Sequence, residues 1–127
     1  MELDHVGIAT PDAGEQAAAF AELLDASFVH QEVFDGLEVI FVKLPSGYLE
    51  LLEPLEDGTV QRFLDREGPG LHHLAFRTDD IEAALAHAEE LGIDRIDEQP
   101  RPGAWGHQVA FLHPGSTGGV LMEFVEH

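Results

Sequence analysis

Tyr48-Leu49-Glu50-Leu51-Leu52-Glu53 and Leu121-Met122-Glu123-Phe124-Val125-Glu126 are two copies of one pattern, a carboxylate set between large apolar residues. Each reads as a strand. Side chains alternate faces along a strand, so Glu50 shares a face with Tyr48 and Leu52, and Glu123 with Leu121 and Val125. An ionised Glu on a half-buried strand is costly unless something compensates its charge. Two such carboxylates in matching contexts point to a shared cation.

Working outward from the first copy, residues 3–10 alternate as a strand. Thr10 and Pro11 then read as the cap and first turn of a helix over 11–24, with Ala17, Phe20, Ala21 and Leu24 at helical spacing. Residues 28–34 and 37–44 read as a hairpin turned by Asp35-Gly36. Pro45-Ser46-Gly47 leads back to the opening strand, which gives β-α-β-β-β. Residues 54–70 read as a connector in which Val60, Phe63 and Leu64 fit one or two helical turns.

The pattern then repeats. Residues 71–78 read as a strand. Thr78 or Asp79 caps a helix striped by Ile81, Ala84, Leu85, Ala88 and Leu91 and ended by Gly92. Strands are expected over 95–98, 108–112 and 119–125, with loops at 100–104 and 113–118. One domain over 1–127 is expected, built from modules 1–53 and 71–127.

In this overlay Asp4-His5-Val6 falls on His72-His73-Leu74. Neighbouring His72 and His73 point to opposite faces, and alignment with His5 selects His73. His5, Glu50, His73 and Glu123 form a nitrogen and oxygen donor set suited to Co, Ni, Zn, Mn or Fe, whereas a calcium site takes mostly oxygens. Two neutral imidazoles, two carboxylates and a divalent ion sum to zero charge. An octahedral ion would keep two positions for a chelating substrate. His30, His72, His87 and His127 read as surface or hydrogen-bonded residues, His113 as turn chemistry, and Glu53 and Glu126 as solvated strand ends. Trp105 reads as loop packing. Arg101, in a Pro- and Gly-rich loop, is a candidate to meet a phosphate or carboxylate.

Acidic residues number 25 and basic residues 6, for a net charge of −19, and Lys43 is the single Lys. Such a chain repels itself at low salt, and molar salt shortens the Debye length to roughly 3 Å. This composition reads as a cytoplasmic protein of a salt-accumulating organism. It argues against nucleic acid and anionic membranes as partners. The absence of cysteine removes disulfides, thiolate zinc sites and Cys nucleophiles. No apolar run reaches membrane-spanning length, and no signal peptide opens the chain.

The segments Asp4-His5-Val6-Gly7-Ile8-Ala9, Leu49-Glu50-Leu51-Leu52-Glu53-Pro54-Leu55, Gly70-Leu71-His72-His73-Leu74-Ala75 with Asp79-Asp80-Ile81, and Phe111-Leu112-His113-Pro114 with Gly119-Val120-Leu121-Met122-Glu123 resemble the vicinal oxygen chelate superfamily, of the glyoxalase fold. Within it the chain is most similar to the methylmalonyl-CoA epimerases. The resemblance implies an α+β fold of two tandem βαβββ modules forming a cupped mixed sheet around a metal site. It implies metal ligation by His5, Glu50, His73 and Glu123, with Co²⁺ the favoured ion and Ni²⁺, Zn²⁺ or Mn²⁺ as substitutes, and a homodimer.

The implied reaction interconverts (R)- and (S)-methylmalonyl-CoA by proton transfer at C2 through a metal-stabilised enolate. Inversion needs an acid and a base on opposite faces of the carbon. Glu123 is implied as one. Some relatives place a second Glu on the strand equivalent to 37–44, where gapless alignment puts Val39 here, with Glu38 one residue earlier. Glu38, Glu50 or a bound water are the readings for the partner group. The coenzyme A phosphates are expected to meet a notch of local cations, Arg101 and Lys43 with Arg77, or to be tolerated because high salt screens the repulsion. The alternatives are a glyoxalase I-like metal isomerase and a non-catalytic small-molecule-binding protein of the same fold.

Overall fold

The computed structural model describes residues 1–127. Strand β1 (Glu2–Ala9) leads into helix α1 (Ala13–Leu24), then β2 (Ser27–Phe34), β3 (Leu37–Leu44) and β4 (Gly47–Pro54). Helix α2 (Thr59–Glu67) connects to β5 (Gly70–Arg77), α3 (Ile81–Glu90), β6 (Arg101–Pro102), β7 (Gln108–Leu112) and β8 (Met122–Glu126). The chain divides into two compact units, residues 5–72 and residues 1–4 with 73–127. No helix is long and apolar enough to cross a membrane.

In the first unit the strand order is β2-β3-β4-β1. β1 runs parallel to β4, and β3 antiparallel to both β2 and β4. A parallel pair needs a long crossover, and α1 with the β2–β3 hairpin supplies it. In the second unit the order is β5-β8-β7-β6, with β5 parallel to β8 and the other pairs antiparallel. The two units therefore repeat one βαβββ plan, as the sequence pattern predicts.

Alternation along the strands gives each sheet an apolar face for its helix. Ile8, Ile40, Val42 and Leu51 pack on Ala13 and Ala17 of α1, with Val6, Phe20, Ala21 and Leu49 closing around them. In the second unit Ile81, Leu85 and Ala88 of α3 pack on Ala110 and Leu112, with Met122 and Phe124 beside them. Burying each large aliphatic side chain contributes about 1.5–3 kcal/mol. The small residues on the helix side let helix and sheet approach closely. On the opposite face of the second sheet Ala75, Val109 and Val125 form a separate buried group.

Both helices begin two residues later than Thr10 and Thr78 suggest. The caps are Asp12, whose side chain accepts from the Glu15 N–H at 3.0 Å, and Asp80, which accepts from the Ala83 N–H at 3.0 Å. The threonines act one step earlier: Thr10 Oγ1 accepts from the Asp12 N–H and Thr78 Oγ1 from the Asp80 N–H, each at 3.2 Å. The relay Thr-x-Asp offers two cap-type side chains in series, and the aspartate takes the helix end.

The hairpin turn forms as expected, with Asp35 and Gly36 both left-handed at φ 51° and 74°. The expected strand over 95–98 reduces to a single bridge between Arg95 and Leu112. The Phe111 carbonyl accepts from both Ile96 and Asp97 N–H groups, and the Phe111 N–H donates to Asp97 Oδ2 at 2.9 Å. A side chain thus takes the place of a ladder rung. The edge strand forms instead at Arg101–Pro102, inside the expected loop. Gly103 follows it because a Cβ there would meet Val109 Cγ1 at 2.7 Å. The last strand starts at Met122, later than expected, after left-handed Gly118 and Gly119. The connector carries a nine-residue helix, longer than the one or two turns expected.

Candidate functional site

Register places the predicted donors. In the first unit β1 and β4 pair His5 with Tyr48 and Gly7 with Glu50, and β3 sets Phe41 opposite Glu50. Directly paired residues share a face, so His5, Glu50, Tyr48 and Phe41 stand together on the face away from α1. His5 and Glu50 are buried, at 5% and 6% exposure. His5 Nε2 lies 3.3 Å from Glu50 Oε1. The His5 ring meets Phe41 edge to face, with centroids 5.7 Å apart.

The second unit repeats the His, Glu and Phe of this arrangement, with Leu121 at the position of Tyr48. Ala75 pairs with Glu123, and Phe111 with Glu123 from the other side. His73 and Glu123 are buried at 5% and 6% exposure. His73 Nε2 lies 4.0 Å from Glu123 Oε1, and its ring meets Phe111 edge to face at 5.4 Å. The residue beside each glutamate on the parallel strand is small, Gly7 in one unit and Ala75 in the other, which leaves room around the carboxylate.

The donor chemistry fits a divalent ion. Two ligands of one ion stand about 3 Å apart when each bond is about 2.1 Å. The His5–Glu50 pair meets that spacing, and the His73–Glu123 pair is about 1 Å wider. A buried carboxylate is expensive by itself, and a neighbouring cation is the ordinary remedy.

Glu53 and Glu126 are not solvated strand ends. Glu53 Oε1 accepts from the Ala13 N–H at 2.8 Å, and Glu126 Oε1 from the Ile81 N–H at 2.9 Å. Each carboxylate holds the first N–H of its module's helix, where the positive end of the helix dipole also favours it. The spacing Glu-x-x-Glu in both strands was the available signal, since residues three apart on a strand point to opposite faces.

Glu38 stands on the helix side of its sheet, paired between Val33 and Glu53, and its carboxylate accepts from the Gln31 side-chain amide. Val39 is buried and pairs with Leu52. Arg77 does not wait for substrate: its Nε and Nη2 donate to Asp4 Oδ1 at 2.9 and 2.7 Å. His127 Nε2 joins the same oxygen at 2.8 Å and stacks on His107 at 3.7 Å, with Trp105 stacked beyond. The Asp4 carboxylate is thus the hub of a polar cluster, which no sequence motif announces. His113 serves its turn, with Nδ1 accepting from the Gly115 N–H. His72 packs edge to face on Phe63, His87 is exposed beside Glu90, and His30 lies beside Glu32. Lys43 sits over the Tyr48 ring at 4.6 Å, and Arg101 over Phe111 at 5.6 Å.

Residues 4–111 match the family described as the glyoxalase/bleomycin resistance protein/dioxygenase superfamily. The chain is 39% identical over 126 residues to the mitochondrial methylmalonyl-CoA epimerase of Homo sapiens, covering 95% of this chain and 71% of that one. It is 37% identical over 126 residues to the ethylmalonyl-CoA/methylmalonyl-CoA epimerase of Cereibacter sphaeroides, covering 95% and 94%. Among solved structures, a Streptomyces coelicolor methylmalonyl-CoA epimerase in complex with 2-nitronate-propionyl-CoA superposes with a TM-score of 0.94 at 32% identity, covering 99% of this chain and 94% of that one. By this kinship the chain belongs to the glyoxalase/bleomycin resistance protein/dioxygenase superfamily and, within it, to the methylmalonyl-CoA epimerase family.

Proposed function

We propose that the chain is a divalent-metal-dependent epimerase that interconverts (R)- and (S)-methylmalonyl-CoA, with the two modules acting as one catalytic domain. The observation that carries this reading is the duplicated pair of buried imidazole and carboxylate, His5 with Glu50 and His73 with Glu123. The four residues are assigned as ligands of one ion. When bound, a divalent ion supplies a Lewis acid for the thioester carbonyl and the neighbouring carboxylate of the substrate, which lowers the cost of charge as the α-proton leaves.

The protein's own groups do the rest. Glu123 is assigned as the group that takes or returns the C2 proton, beside its role as ligand. Its burial keeps water away and strengthens its interactions with developing charge. Glu50 is assigned chiefly to ligation. Phe41 and Phe111 wall the two imidazoles and exclude water from them. Glu38 is assigned no part in proton transfer, because it stands on the helix side of the sheet. Lys43 and Arg101 are assigned to the anionic substrate.

The metal assignment ranks Co²⁺ first, with Ni²⁺, Zn²⁺ and Mn²⁺ as substitutes, on the mixed nitrogen and oxygen donors. A cytoplasmic homodimer working at high salt completes the proposal; the charge of −19 and the single Lys support the salt requirement.

The deciding experiment follows deuterium entry at C2 of methylmalonyl-CoA in D₂O, with metal added back to apo-protein. Metal-dependent exchange is the expected result. Turnover of a hemithioacetal without exchange at C2 would overturn the assignment.

A further inference from the structure

We propose that Arg101 is a preorganised anchor for an oxyanion of the acyl-CoA substrate, an inference that rests on the acyl-CoA reading given above. Its place in the fold comes first. Arg101 pairs with Val109 across β6 and β7, and Val109 lies on the same face as Val125, Ala75 and Glu123. The guanidinium lies over the Phe111 ring, with Cζ 5.6 Å from the centroid. That same ring meets His73 and pairs with Glu123. One aromatic ring therefore separates this cation from the imidazole of its own unit.

The guanidinium is also held from the side. Arg101 Nε donates to Asp97 Oδ1 at 3.1 Å, while Asp97 Oδ2 accepts the Phe111 N–H at 2.9 Å. Asp97 is itself pinned to the sheet and grips only the inner nitrogen of the arginine. An arginine carries five N–H donors in a planar fork, so the two terminal amino groups remain for an outside acceptor. The ring beside the guanidinium and the grip at Nε restrict the fork before any ligand arrives, which reduces the ordering cost of binding. A simple surface ion pair between Asp97 and Arg101 contributes little to stability, so stability alone gives weak reason for this arrangement.

The other cations are differently placed. Arg77 is committed to Asp4, Arg95 lies beside Glu89, Arg66 pairs with its neighbour Glu67, Arg62 belongs to α2, and Lys43 lies over Tyr48 with its ammonium directed to the Leu44 carbonyl. In a chain with 6 basic and 25 acidic residues, a guanidinium fixed on the face of Glu123 is a local exception to the overall repulsion of anions. The substrate offers two oxyanion sources, its acyl carboxylate and the phosphates of coenzyme A, and both match the fork.

The test compares wild type with Arg101→Met and Arg101→Lys on methylmalonyl-CoA and on the methylmalonyl thioester of pantetheine, which lacks the phosphates. Arg101→Met is expected to raise KM for methylmalonyl-CoA roughly 10- to 100-fold, with kcat changed far less and Arg101→Lys intermediate. A loss confined to methylmalonyl-CoA assigns the phosphates as the ligand, and an equal loss on both thioesters assigns the carboxylate. Unchanged KM on both overturns the anchor. Should wild type turn over neither thioester, the epimerase reading falls. Calorimetric titration with coenzyme A then judges the anchor: weaker binding by Arg101→Met supports it, and equal or undetectable binding by both proteins overturns it.

Discussion

Phe111 meets the His73 imidazole edge to face, with ring centroids 5.4 Å apart and planes at 80°. Phe41 does the same for His5 at 5.7 Å and 86°. Such contacts are worth about 0.5–1.5 kcal/mol beyond burial. They favour one orientation of each imidazole before a ligand binds. Phe111→Leu keeps an apolar side chain and removes the ring. Its Co²⁺ affinity is expected to fall roughly 3- to 10-fold. Phe111→Tyr is expected to restore it. Titration of apo-protein with Co²⁺, followed by visible absorption, measures both, and equal affinity in the Leu variant would rule the orienting role out.

The two site glutamates part company on amide substitution. Glu50→Gln keeps an oxygen donor at the same place and is expected to retain metal and most exchange activity. Glu123→Gln removes the proton-accepting group. It is expected to lose C2 exchange by roughly 10²–10⁴-fold. Metal content, measured alongside, separates loss of chemistry from loss of the ion. Equal losses in both variants would contradict the division of roles.

Glu38→Gln is expected to leave C2 proton exchange within twofold of wild type (about 0.4 kcal/mol in barrier). The carboxylate lies on the helix side and serves Gln31. A large loss in this variant would reinstate Glu38 as an acid or base.

Glu53→Ala and Glu126→Ala each strip a carboxylate from a helix N-terminus. Each is expected to cost about 1–2 kcal/mol, or several degrees in melting temperature. Activity per folded molecule should hold, because neither group shares a face with its neighbouring site glutamate. Thermal melts with activity assays well below the transition check both parts.

Salt should stabilise the protein. With −19 net charge, raising KCl from tens of millimolar to molar screens self-repulsion and is expected to raise the melting temperature. A flat melting temperature across that range would remove the high-salt assignment.

Much of this architecture was readable before any coordinates. The doubled order of elements and the matched His and Glu positions follow from periodicity, because burial on one face of a sheet writes itself into alternate residues. Phe41 and Phe111 are not legible for the same reason: an aromatic residue in an apolar strand looks like core, and only the cross-strand register shows it facing a glutamate. Glu53 and Glu126 read as solvated strand ends because their partners, the N–H groups of Ala13 and Ile81, lie 40 and 45 residues away. The edge strand at Arg101 reads as a loop because Pro100, Pro102 and Gly103 surround it, and the expected strand over 95–98 fails because the Asp97 side chain, a tertiary partner, substitutes for backbone pairing.

Glu50 and Glu53 point to opposite faces of β4, and Glu123 and Glu126 to opposite faces of β8. A one-residue slip of either strand would exchange the two faces. The site carboxylate would then be thrust into the helix packing, and the helix would lose the acceptor for its first N–H. Each module thus carries a built-in proofreading of register. A misaligned strand forfeits helix anchoring and the donor position together, so a slipped conformer is unstable as well as inactive and offers little foothold for a folded but dead population.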